Sequence, residues 1–227
     1  MTLVNHLNLA YVAVKTSQID EMVDFYHNIL NLDEISYEND MVFLGDKNNR
    51  HLVLVLEYDA AHKANSKNSG LDKIHFQVNN IELFQQLSSL PSSLQITSEK
   101  LILFDPDGHQ LEISLQNKNF DIQSQQQIIL KQIDLICANI DAEEKLLNCL
   151  DKSITQTLRL YEDETVEQYN GLDYIAFNID NRDTLNQLKQ KFEKYRQDFY
   201  YNLGKEIILV ESELPFSYWL EVNAHEV

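Results

Sequence analysis

The stretch GLDKIHFQV, residues 70–78, decides the reading of this chain. Strand alternation puts Ile74, Phe76 and Val78 on one side, suited to a core, and Lys73, His75 and Gln77 on the other, suited to polar contacts. The pattern returns as GLDYIAFNI at residues 171–179, with Tyr174, Ala176 and Asn178 on the polar side. Each copy runs into a segment of helical spacing. The first places Ile81, Phe84, Leu87 and Leu90 on one face and stops at Pro91; the second places Leu185, Leu188 and Phe192.

Working outward, the same order of elements precedes and follows each copy. LNLAYVAV is a strand, and a helix follows through Ile19, Met22, Val23, Tyr26, Ile29 and Leu30, with Ser17 and Asp20 placed for a capping box. The strands EISYE, MVFLG and HLVLVLEY come next, and LQIT, LILF and HQLEISL complete the unit that GLDKIHFQV opens. After the polar run QNKNFDIQSQQQ the order restarts. QIDLICANI is a strand, DAEEKLLNCL a helix with Asp141 and Glu144 placed for a cap, and TQTLRLY a strand. The second GLD unit ends in DFYYN, EIILVE and SYWLEV. The chain is internally duplicated, with helices expected at about 18–30, 80–90, 141–150 and 181–196 and with Glu112 and Glu221 in matching places. From Leu9 to Leu71 is 62 positions but from Leu135 to Leu172 only 37, so the second copy has lost room for about two short strands.

Composition bounds the partners. With 36 acidic against 18 basic residues the formal charge is -18, which repels nucleic-acid backbones and anionic membranes. No stretch approaches a membrane span and the first residues lack a signal-peptide pattern, so a cytoplasmic protein is expected. Cys137 and Cys149 stand in no zinc or redox spacing and read as inert thiols.

Phe25-Tyr26 near a helix end, GLDKIHFQV, and FDPDGHQLEI at 104–113 together resemble the vicinal oxygen chelate superfamily of glyoxalases, bleomycin-resistance proteins and extradiol dioxygenases. A full unit followed by a shortened one is also similar to the two-domain CppA family, whose members carry a complement-degrading-proteinase name. The resemblance implies an α+β fold of tandem βαβββ modules forming two half-barrel domains. Their bounds are 1–118 and, shortened, 131–227, with a linker at 119–130.

In metal-dependent relatives two imidazoles and a carboxylate hold a divalent ion. Carried over, those positions become Leu9, Lys73 and Glu112 in the first copy. In the second they become Leu135 or, with a register shift, Asp134, then Tyr174 and Glu221. Only the glutamates persist. The resemblance therefore implies degenerate metal sites, with Lys73 paired to Glu112 in place of the ion. Lys73, His75, Gln77, Glu112, Tyr11, Tyr174, Trp219 and Glu221 are the cavity residues expected to meet a small-molecule ligand. No cofactor is expected. A metal-dependent lyase, isomerase or dioxygenase is the alternative, with a divalent metal on His6, His75 and Glu112. The proteinase reading finds no GxSxG and no recognisable catalytic cysteine. A monomer or weak homodimer is expected, because a tethered second copy can cover the open edges of the first.

Overall fold

The computed structural model describes residues 7–48, 50–62, 70–116, 128–137, 139–150, 154, 156–163, 171–191, 197–202, 205–211 and 217–223. The first copy comprises β1 (Leu7–Thr16), α1 (Ile19–Leu30), β2 (Asp33–Glu38), β3 (Met41–Asp46) and β4 (His51–Tyr58), then β5 (Leu71–Val78), α2 (Ile81–Ser88), β6 (Lys100–Phe104) and β7 (Gln110–Leu115). The second comprises β8 (Ile128–Cys137), α3 (Ile140–Leu150) and β9 (Leu158–Glu162), then β10 (Leu172–Ile179), α4 (Arg182–Lys191), β11 (Gln197–Asn202), β12 (Lys205–Glu211) and β13 (Ser217–Asn223). Where three strands follow α1, one follows α3 among the described residues, which is the shortening that the spacing predicts. β8 begins at Ile128, inside the segment expected as a linker; the part of that segment before it lies outside the described residues.

The strands form two sheets, and each draws on both copies. The eight-stranded sheet has the order β11-β12-β13-β10-β1-β4-β3-β2, and the five-stranded sheet β6-β7-β5-β8-β9. The copies join at two antiparallel seams, β1 with β10 and β5 with β8. The repeated glycines serve these seams. Gly70 at φ 72° and Gly171 at φ 112° take the left-handed backbone open to glycine. Their carbonyls accept from Ile136 N at 2.9 Å and Lys15 N at 2.6 Å, each across to the other copy.

The helices cover one face of the sheets, where Met22, Tyr26, Leu83, Leu87, Leu146 and Leu185 pack with Val12, Ile74, Phe76, Ile133 and Ile175 in a common core. The opposite, inner face of the eight-stranded sheet holds a second cluster of Tyr11, Ala13, Phe43, Val55, Tyr174, Ala176 and Trp219.

Local details differ from expectation. The residue before α1 is Gln18, not Ser17, and its side chain makes no cap; Thr16 Oγ1 accepts the Gln18 N–H at 3.0 Å, ahead of the helix. Asn139, not Asp141, caps α3 by accepting from Ala142 N at 3.1 Å. Asn80 and Asn181 do the same for α2 and α4, since a short amide reaches the free N–H groups of a first turn. LQIT forms only the bridge Leu94 to Ile102, because Gln95 at φ 48° interrupts the extended run.

Candidate functional site

The inner faces of the two sheets carry different chemistry. On the eight-stranded sheet, Tyr174 stacks on Trp219 with ring centroids 3.6 Å apart and planes 6° from parallel, and Tyr11 meets Tyr174 edge-on at 5.9 Å. The Tyr11 hydroxyl donates to the buried carboxylate of Glu221. Burial, then the Glu221 charge, raise the Tyr11 pKa well above its ordinary value. Trp219 is 7% exposed, Tyr11 3% and Tyr174 1%, so this face is filled by the protein's own rings.

The register moves two residues from their expected places. A bulge between Leu9 and Tyr11 turns Leu9 toward the helices, where it packs on the main core, and gives its expected inner place to Tyr11 and Ala13. Glu112 lies opposite His75, but Glu221 lies opposite Asn178, the counterpart of Gln77. The two glutamates therefore stand one pleat apart on the same face, and Trp219, opposite Ala176, occupies the place that matches Glu112.

On the five-stranded sheet the inner face holds a chain of alternating charge. Lys100 Nζ lies 2.6 Å from Glu112 Oε1, and that oxygen lies 3.4 Å from His75 Nδ1. His75 Nε2 lies 3.0 Å from Asp134 Oδ2, which is 4.0 Å from Lys73 Nζ; Lys73 also pairs with Asp72 at 3.3 Å. Gln132 donates to Asp134 Oδ1 at 2.5 Å and Tyr161 to Oδ2 at 3.4 Å. The expected pairing of Lys73 with Glu112 is thus replaced. Lys73 faces Asp134 across the β5–β8 seam, and Lys100, from the neighbouring edge strand, takes Glu112.

Burial pushes the Glu112 carboxyl up. The hydrogen bond from Lys100 and the charges of His75 and Lys100 outweigh it, leaving Glu112 below its ordinary range. Asp134 follows the same logic, with burial outweighed by His75, Gln132 and Lys73.

Lys73, His75 and Glu112 are brought together here, and Gln77 lies one pleat beyond His75, opposite Ser114. Tyr11, Tyr174, Trp219 and Glu221 are brought together on the other sheet, and His6 lies outside the described residues. Sequence reading missed Lys100, Gln132 and Tyr161 and held Asp134 only as a register alternative. Alternation along QIDL marks Gln132 and Asp134 as one face, but nothing local says that this face meets His75. A cavity of about 100 Å³ near Asn31, Asp33, Asp46 and Asn48 carries none of these side chains.

A divalent metal, which the sequence resemblance implies at such positions, does not fit these residues. His75 turns one ring nitrogen to each carboxylate, so Glu112 and Asp134 stand on opposite sides of the imidazole and do not converge with it on one point. The Lys73 ammonium lies where a cation would have to sit beside Asp134. On the other sheet Tyr174 is covered by Trp219 and Glu221 is bound by Tyr11. Among the described residues no group of three His, Cys, Asp or Glu side chains is placed to hold a metal ion.

Residues 8–90 match the model of the Glyoxalase/Bleomycin resistance protein/Dioxygenase superfamily. The fold is similar to that of the cppA protein from Streptococcus pneumoniae TIGR4, with a TM-score of 0.71 at 16% identity over 96% of this chain and 100% of that one. It is similar to a putative dioxygenase from Bacillus subtilis subsp. subtilis str. 168, with a TM-score of 0.66 at 10% identity over 96% and 85% of the two chains. Glyoxalase I from Zea mays gives 0.63 at 12% identity over 96% and 93%. No curated protein matches the sequence significantly. Residues 8–90 are thus similar to the glyoxalase/bleomycin resistance protein/dioxygenase superfamily, and the fold of the chain is similar to that of the cppA protein and of glyoxalase I.

Proposed function

We propose that this chain binds a small molecule on the inner face of its five-stranded sheet and does so without a metal. The observation that carries this reading is the contrast between the two inner faces. One is closed by Tyr11, Tyr174, Trp219 and Glu221, whereas the other keeps Lys73 27%, Glu112 21% and His75 12% exposed at the side chain over a fixed polar floor. Buried polar groups held by one another keep their geometry before a ligand arrives, which lowers the cost of binding. Lys73, His75, Gln77 and Glu112 are the contacts, joined by Lys100 and Tyr161.

The test is ligand screening by nuclear magnetic resonance against the wild type and Lys73→Met. Hits should shift signals of His75 and Tyr161, and Lys73→Met should weaken them. Hits confined to the other sheet would sink the reading.

A hydrolytic reading would need an activated nucleophile. Burial, with the nearby Glu143 charge, pushes the Cys137 thiol up to about 12, so it is not a thiolate at neutral pH. The Cys149 side chain lies outside the described residues.

A cytoplasmic location and a monomer or weak homodimer belong to the same proposal. Among the described residues no helix is long and apolar enough to cross a membrane. The two copies already pair with each other along both seams, within one chain.

A further inference from the structure

We infer that the inner face of the five-stranded sheet takes an amphipathic anion, an aryl carboxylate or aryl phosphate, with its charge on Arg159 and Lys73 and its ring against Tyr161. This rests on the proposed binding face and names what that face selects.

The charges on the face are layered. The carboxylates of Asp134 and Glu112 lie deep, 1% and 21% exposed, while Lys100 at 60% and Lys73 at 27% stand above them; Asp72, 32% exposed, borders Lys73 at 3.3 Å. Asp134 is already met by Gln132, Tyr161, His75 and Lys73. An arriving cation would meet the Lys100 and Lys73 ammonium groups before it met Glu112 or Asp134.

Arg159 adds the specific element. It sits on β9 beside Asp134, and its neighbours Leu158 and Leu160 pack into the core on the helix side. Arg159 and Tyr161, two residues apart, therefore share the inner face, and the reach of the Tyr161 hydroxyl to Asp134 fixes which face that is. Arg159 is exposed and has no ion-pair partner among the described residues, in a chain with twice as many acidic as basic residues. A guanidinium presents paired donors that match a carboxylate or phosphate edge.

Tyr161, 43% exposed, stands one pleat from Arg159, roughly 7 Å along the strand, which suits an anionic head and a ring in one small molecule. Lys73 lies 6.0 Å from the centre of the same ring, so both cations address the space beside it.

The experiment titrates the full chain with phenyl phosphate, phenylacetate and the neutral phenethyl alcohol, reading the resonances of His75 and Tyr161, in wild type and Arg159→Gln. At least one anion should shift both signals, and whichever binds more tightly identifies the head group. The alcohol should bind more weakly, and Arg159→Gln, an exposed change that leaves the fold intact, should lower anion affinity by about tenfold or more. Added salt should weaken the anions and leave the alcohol unchanged. Equal binding of alcohol and anions, or an unchanged Arg159→Gln, overturns the anion assignment while the binding face stands. No shift at this face with any probe at millimolar concentration overturns both.

Discussion

The hydroxyl of Tyr26 donates to Asp105 Oδ2 at 2.8 Å and so ties α1 to the turn between β6 and β7. The same carboxylate accepts the His109 N–H at 2.8 Å and lies 2.9 Å from His109 Nδ1. Gln18 donates to Asp107 Oδ1 at 2.6 Å and to the Pro106 carbonyl at 3.1 Å, and His62 Nε2 stands 3.6 Å from Asp107 Oδ2. Two of the marks on which the family resemblance rests, Phe25-Tyr26 and the DPDG turn, are thus halves of one buried polar joint. α1 packs on a sheet that does not contain β6 and β7, so the joint binds the two sheets to each other.

Tyr26→Phe tests that joint. The ring stays, and Asp105 loses one charge-assisted hydrogen bond in a buried place, so stability should fall by about 2 kcal/mol. Urea unfolding measures it. A loss within experimental error would mean that the joint is solvated and not load-carrying.

Glu57 sets a pH dependence on the alkaline side. A hydrogen bond with Asp173, then burial and the Asp173 charge, raise its carboxyl from 4.5 to about 8. The folded state therefore holds a proton that the unfolded chain releases above 4.5, so this stabilisation is full below 4.5 and declines as pH rises to about 8. His109 acts in the same direction: burial opposes its protonation, but Asp105 and Asp107 outweigh burial and raise it. Its contribution is full below its ordinary pKa and is lost as pH rises through the raised one. The melting temperature should fall between mildly acidic and mildly alkaline buffer, and Glu57→Gln should flatten the slope.

Asp134 and Lys100 occupy the chain of charges at different depths, and depth decides their worth. Asp134→Ala leaves His75 and Lys73 without a common partner and should cost about 3 kcal/mol, whereas Lys100→Ala, at the exposed end, should cost about 0–1 kcal/mol. Because the Asp134 and Glu112 carboxyls both lie below their ordinary values, their contribution is present above those values and lost as pH falls through the depressed ones. Acid titration of the two variants should show a shallower loss for Asp134→Ala. Equal costs would mean that the floor is open to water throughout.

Trp219 is the single tryptophan of the chain, and it lies flat on Tyr174 in a filled face. Trp219→Ala should destabilise the protein by about 3–5 kcal/mol through the cavity that it leaves. It should not alter ligand signals at His75, which belongs to the other sheet. A change in ligand affinity without loss of stability would reassign this face as a binding surface.

Periodicity alone determined most elements of this protein and, along β5, the side on which each residue falls. Ile74, Phe76 and Val78 are buried and Lys73, His75 and Gln77 are partly open because alternation in a strand is a local property of L-residues. The repeated GLD likewise announced the duplication, since glycine is called for by backbone geometry. The register of the seams was decided only by the tertiary structure. Whether Leu9 or Tyr11 looks inward depends on a bulge, and whether Glu221 matches Glu112 depends on how β13 slides along β10. Both are settled by packing between segments distant in the chain, and a shift of one or two residues there costs little in local terms. For the same reason Lys73 met Asp134 instead of Glu112. The sequence specified a lysine, a histidine and a glutamate on one face, but which carboxylate reaches which cation depends on pairing across the two copies, which a local pattern does not contain.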